Sequence, residues 1–199
     1  MRVLVVGASG TIGRAVVAEL RERHEIVAAG RESGEVRVDI TDKASIRAAF
    51  EAAGPIDAVV SAAGKVKFAA FAEMTDADYR IGLADKLMGQ VNLVLIGREF
   101  IADGGSFTLT TGVLDSDPIR MGSSASMVNG AVNAFVVAAA IEMPRGLRIN
   151  VVSPGVITEA MPDYAPFFRG FEPVPAARAA LAYAKSVEGA QTGQVYRVL

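Results

Sequence analysis

The chain has 199 residues, 51% of them hydrophobic and 21% charged, with a net charge of −2 and no cysteine. That is enough length for one domain with a substantial core, and a charge so near neutral gives neither nucleic acid nor an anionic membrane anything to hold. Without cysteine there is no disulfide, thiolate nucleophile or Cys-ligated metal, and the single His24 leaves no His-based catalytic pair and no metal site to expect.

The first element is the run Val3-Leu4-Val5-Val6, apolar enough for a buried central strand over 2–7. It ends directly in Gly7-Ala8-Ser9-Gly10-Thr11-Ile12-Gly13 and a helix predicted over 11–23. Gly7 permits a sharp turn, Gly10 lets backbone approach a ligand, and Gly13 lets helix pack closely on strand. The helix aims its first free N–H groups and its positive dipole end into that turn, which makes a phosphate or pyrophosphate site. Gly7, Ser9, Gly10, Thr11, Ile12 and Gly13 are the candidate residues there.

A second strand over 25–30 runs into Gly30-Arg31. A dinucleotide site selective for NAD usually carries an acid near this point. None stands here before Glu32, whereas Arg31 offers a planar fork suited to a 2′-phosphate, so NADP(H) is favoured over NAD(H). The third strand, 36–39, ends in Val38-Asp39-Ile40, where Asp39 is placed to accept from an adenine amino group and Ile40 to lie beside it. Thr41 or Asp42 then caps a helix over 43–53.

The fourth strand, 56–62, ends in Ser61-Ala62-Ala63-Gly64, small residues that leave room for a ribose or flat ring. Thr75 with Asp78 resembles a capping box for a long helix over 75–102. A fifth strand over 105–111 ends in Thr110-Thr111, and a helix over 122–143 follows. Within it, Met121 to Ile141 is a 21-residue stretch without charge, but its serines, asparagines and glycines make it too polar for a bilayer span. A sixth strand over 147–152 ends in Ser153-Pro154-Gly155-Val156-Ile157. The irregular stretch 153–175 is expected to form a lid or pocket wall, before a helix over 175–188 and a strand over 194–198.

Strands alternating with helices predict an α/β fold, a Rossmann-type doubly wound parallel sheet of about seven strands with helices on both faces. The strand ends named above then converge on one crevice. Residues 1–199 read as a single NAD(P)-binding domain. Because the chain starts inside a strand, no signal peptide is expected and the cytoplasm is the expected location.

Gly7 to Gly13, Arg31, Asp39, Ser61 to Gly64, Gly105 to Gly112 and Arg148 to Gly155 resemble the short-chain dehydrogenase/reductase family in order and spacing, over nearly the whole chain. The glycine spacing, Gly-x-x-Gly-x-x-Gly, is nearer to the extended and atypical members than to the small ones. The resemblance implies NAD(P)(H) as cofactor, Ala62, Ala63, Gly64 and the Pro154 to Ile157 run beside it, and a dimer or tetramer joined by the two long helices. Small residues four apart, Gly122, Ser126, Gly130, Ala134 and Ala138, fit such a helix contact as well as they fit internal packing.

The departure is catalytic. The family uses a Tyr-x-x-x-Lys pair, and none of Tyr79, Tyr164, Tyr183 and Tyr196 has lysine four residues on. By alignment Ala125 takes the Tyr position and Asn129 the Lys position. The family's carbonyl-polarising Ser falls on Thr111, and its Asn in the preceding helix falls on Lys86. Thr111, Lys86 and Asn129 are therefore the candidate catalytic residues, Lys86 either reaching into the crevice or running its stem to solvent. Two functions follow: an NADP(H)-dependent oxidoreductase acting on a small carbonyl compound with an altered proton donor, or a weakly active or inactive NADP(H)-binding sensor.

Overall fold

The computed structural model describes all 199 residues. Seven strands, β1 (Arg2–Val6), β2 (Glu25–Gly30), β3 (Val36–Arg37), β4 (Ile56–Ser61), β5 (Ile101–Thr110), β6 (Arg148–Pro154) and β7 (Val195–Val198), form one sheet in the order β3-β2-β1-β4-β5-β6-β7. Every pairing is parallel. The order reverses between β1 and β4, so the carboxyl ends of these two strands open a crevice.

Strand alternation sorts the core into two layers. Val3 and Val5 face α1 (Thr11–Leu20) and α6 (Ala176–Glu188), packing with Val16, Leu20, Tyr183 and Val187. Leu4 and Val6 face the other side, with Ile46 and Phe50 of α2 (Lys43–Ala53), Leu93 of α4 (Met88–Gly97) and Val128 and Val132 of α5 (Ser123–Ala139). Asp42 caps α2 by accepting from Ala44 N at 2.9 Å. The Thr75–Asp78 capping box opens α3 (Asp76–Gly82) as the sequence predicts.

The predicted helix 75–102 is broken in two places. Between α3 and α4, Leu83–Leu87 forms a widened turn in which Met88 N–H reaches back five residues to Leu83 O. The helix then stops at Gly97, where an added Cβ would fall 2.4 Å from the Phe50 ring. Arg145 pins the turn that follows by donating to the carbonyl oxygens of Arg98 and Ile101. β5 starts at Ile101, earlier than the predicted 105, because Ile101 is an apolar core residue paired with Ile56. The bulge that this early start requires is taken up before Ser106. The helices predicted over 11–23 and 122–143 end at Leu20 and Ala139.

Candidate functional site

The turn after β1 has the shape that its glycines predict. Gly7 has φ +82°, and a Cβ there would fall 2.8 Å from the Ala62 carbonyl. A Cβ on Gly13 would fall 2.0 Å from Gly7 O, so α1 lies directly on the turn. Gly10 is the N-cap of α1 and offers no capping side chain. Among the hydrogen bonds of the structure, none uses the N–H of Thr11, Ile12 or Gly13. Three donors and a helix dipole are left facing outward, an arrangement suited to a phosphate group.

Two cavities adjoin along the strand ends and share Gly64 and Lys65. The first, about 490 Å³, is bordered by Gly7, Ser9, Arg31, Ile40 and Ala63, together with Ser33 and Asp85. The second, about 430 Å³, is bordered by Ile12, Lys86, Thr111, Asn129 and the Pro154–Ile157 run, with an apolar wall of Val66, Phe68, Val113, Leu114, Tyr164 and Phe168. Gly10, Thr11, Gly13, Asp39 and Ala62 border neither cavity. The segment after β6 supplies one wall, with Phe168 pressed on Val113, Leu114 and Ala125.

Arg31 is exposed, and its guanidinium donates to Asp39 Oδ1 at 3.0 Å, with Asp85 Oδ2 at 3.7 Å. Asp39 Oδ1 also accepts from the Thr41 hydroxyl at 2.6 Å and the Thr41 N–H at 2.9 Å. Those Thr41 bonds, helped by Arg31, hold the Asp39 carboxyl below its usual range. All three donors end on Oδ1, which leaves Oδ2 for a ligand donor.

Thr111 does not offer its hydroxyl to the cavity. Its Oγ1 donates to Asn133 Oδ1 at 3.0 Å, and Asn133 in turn donates to Asp115 at 2.9 Å. A hydroxyl has one proton to give, and here it is spent inside the protein. This corrects the expectation that Thr111 polarises a carbonyl. Asn129 is placed differently: its amide donates to Gly112 O at 3.1 Å, while its buried Oδ1 has no partner. An orphan acceptor at a cavity wall fits a hydroxyl donor such as a ribose.

Lys86 sits in the widened turn and enters the second cavity. Its Nζ donates to Thr111 O at 3.4 Å and makes no ion pair. The neighbouring Asp85 is turned away, accepting from Lys65 N at 3.0 Å and facing Arg31. Enclosure by protein lowers the ammonium pKa from 10.5 to about 8. Gln90, fully buried, anchors this turn by donating to Lys86 O at 3.0 Å and clasping both backbone groups of Thr110. Neither Gln90 nor Asp85 stands out along the chain, since a buried polar residue in an apolar helix carries no spacing signature.

A cation half-buried without a counter-ion costs stability. The folded-state pKa lies below the unfolded one, so between about 8 and 10.5 the unfolded chain binds more protons and stability rises with pH. Lys86→Met is therefore expected to raise the unfolding free energy at neutral pH by on the order of 1–3 kcal/mol. That gain should fade above pH 10.5, the ordinary lysine value. Urea unfolding at neutral and strongly alkaline pH measures it, and a variant less stable than wild type at neutral pH contradicts it.

Of the tyrosines, only Tyr164 borders either of these two cavities. Tyr183 is locked in the core with its hydroxyl 2.6 Å from Thr110 Oγ1, and burial raises its pKa. Tyr79 pairs with Ser123 Oγ at 2.8 Å, and Tyr196 donates to Gln191 at 3.0 Å. No helix is long and apolar enough to cross a membrane.

A model of the enoyl-(acyl carrier protein) reductase family matches residues 6–198. An uncharacterized oxidoreductase of Methylorubrum extorquens is 32% identical over 163 residues, which are 79% of this chain and 64% of that protein. The chain thus spans less than two thirds of that relative's length. Among solved structures, the protein lin1944 from Listeria innocua is 52% identical with a TM-score of 0.99, each chain covered in full. A small-chain dehydrogenase in complex with NADPH is similar in fold, with a TM-score of 0.88 at 24% identity, over 100% of this chain and 96% of that one.

Proposed function

Because the chain belongs to the short-chain dehydrogenase/reductase family, we propose that it is an NADP(H)-dependent oxidoreductase that reduces a small carbonyl compound. The observation that carries this reading is the uncapped amino end of α1, set behind a turn that only glycine fits and opening onto two adjoining cavities. The N–H groups of Thr11, Ile12 and Gly13 would hold the coenzyme diphosphate. Arg31 would meet a 2′-phosphate, Asp39 and Ile40 the adenine, and Asn129 Oδ1 a ribose hydroxyl. A reduced nicotinamide, when bound, supplies a hydride. The chain's own part is to orient the reactants, exclude water with the apolar wall and place the Lys86 ammonium beside the reacting oxygen.

A second reading, a coenzyme-binding sensor without turnover, is favoured by the absent Tyr-x-x-x-Lys pair and by the spent Thr111 hydroxyl. Exposed Ile81, Met88 and Leu95, with Met127 and Val137 of α5 and Ile141 just beyond its end, support a homo-oligomer joined through these helices. Gly122 does not belong to that face, since it is buried against Ile119.

Titration of nicotinamide fluorescence tests the coenzyme. NADPH is expected to bind at least about tenfold more tightly than NADH, a difference of roughly 1.4 kcal/mol. Arg31→Ala should erase the difference by weakening NADPH alone, because a charge-assisted bond to phosphate has no counterpart in NADH. A protein that binds neither coenzyme ends the proposal.

A further inference from the structure

The second cavity sets Lys86, together with Lys65 and Tyr164, against a largely apolar wall. Phe68, Tyr164 and Phe168 stand edge to face, with centroids 6.1 Å apart at each step. Val113, Leu114 and Val156 complete the wall, and no carboxylate borders the chamber. Such a lining selects an apolar ring or chain, and the Lys86 ammonium with no carboxylate beside it disfavours a cationic substrate. Against it stands Lys86, whose ammonium has three protons to donate and a single long contact, to Thr111 O. Buried charges in proteins are normally paired, so the missing partner is an electron-rich ligand atom.

We propose, resting on the coenzyme reading above, that Lys86 takes the place of the absent tyrosine as proton donor, and that its substrate is an apolar, ring-bearing carbonyl compound. The C=O π bond breaks as the carbon takes the hydride that the reduced nicotinamide supplies, forming C–H. The oxygen takes a proton from the Lys86 ammonium, forming O–H and leaving a neutral amine that solvent reprotonates. The wall supplies no rival acid at the floor of the chamber: Ala125 has no donor, Asn129 gives its amide to Gly112, and Thr111 gives its hydroxyl to Asn133.

The charged groups around Lys86 are few. Asp85 and Lys65 flank it from the crevice side, with Arg31 beyond Asp85. Behind Thr111, Asp115 is reached only through Asn133 and is paired with Arg197 at 2.9 Å. The strand ends and α5 contribute no other charge to the chamber. Burial then leaves Lys86 able to give up its proton near neutrality, with its pKa lowered to about 8.

The first arm of the test needs no coenzyme. 4-Nitrophenol carries a ring and an oxygen whose ionised form is coloured, and the full-length protein is expected to bind it as the phenolate, increasing the phenolate band at mildly acidic pH. Lys86→Met should abolish that increase and Lys86→Arg, which keeps the charge, should retain it. In the second arm, NADPH oxidation with a panel of aryl aldehydes and ketones should fall roughly 10²–10⁴-fold in Lys86→Met, while the NADPH dissociation constant stays unchanged. Wild-type turnover should decline as pH rises through about 8, and in Lys86→Arg that decline should disappear. A phenolate band identical in wild type and Lys86→Met overturns the proposal, and so does turnover that survives in Lys86→Met but is lost in Tyr164→Phe. Either result leaves the coenzyme reading standing, whereas failure of the wild type to bind NADPH removes that reading without touching the phenolate arm.

Discussion

Replacing Gln90 with leucine is expected to lower the unfolding free energy by roughly 2–6 kcal/mol, chiefly because the two buried backbone groups of Thr110 then go unsatisfied at about 1–3 kcal/mol each. Gln90 is completely buried, and its side chain is the sole partner of the Thr110 N–H, which it accepts at 2.8 Å. The same amide donates to Thr110 O at 2.9 Å and Lys86 O at 3.0 Å. Leucine fills the volume but meets none of these groups. The loss is a large share of the ~5–15 kcal/mol that holds a typical domain together. Urea unfolding measures it, and a change under about 1 kcal/mol would mean that the amide is not what fastens α4 to β5. The functional consequence is at Lys86, whose carbonyl Gln90 holds, so a folded Gln90 variant should also lose the phenolate binding assigned to Lys86.

Gly13→Ala is expected to weaken NADPH binding by about 100-fold or more, roughly 2.8 kcal/mol, and to destabilise the protein by about 1–3 kcal/mol, as an overpacked methyl does. The new Cβ would stand 2.0 Å from Gly7 O and 2.9 Å from Ala8 Cα, both backbone atoms, so helix or turn must move. Either movement carries the N–H groups of Thr11 and Ile12 away from the position in which they converge. Gly10→Ala separates binding from folding. Its Cβ would meet Gly7 O at 3.4 Å and nothing else, so the free protein tolerates it. The methyl then occupies the approach that a diphosphate needs. Thermal unfolding with coenzyme titration should show Gly13→Ala impaired in both measurements and Gly10→Ala in binding alone. Full affinity in Gly10→Ala would move the phosphate site elsewhere.

Much of this architecture is legible in residue order. The apolar run Val3–Val6 before the glycine turn marks the central strand, and alternation of strands and helices marks the parallel sheet, because both depend on local pattern. The Asp42 cap and the Thr75–Asp78 box are equally local and are found where the pattern places them. Less legible are features in which one to three inserted residues matter. The widened turn at Leu83–Leu87 disappears in a periodicity summed over several turns, and the bulge in β5 depends on where Ile101 meets Ile56.

The candidate site divides along the same line. Residue types alone exclude a thiolate or a histidine pair and establish that no tyrosine has lysine four positions on, since these follow from counting. The glycines likewise announce a close backbone approach, because only the residue without a side chain admits one. Which polar atoms remain free is a property of three-dimensional contact. Thr111 and Asn129 look equally available along the chain, yet one has its proton bound inside the protein and the other keeps an orphan oxygen. Alignment already marks Lys86, but its lowered proton affinity arises only when the fold withdraws water and Asp85 turns elsewhere, since that affinity is set by the charge and solvent around a lysine and not by its neighbours in sequence.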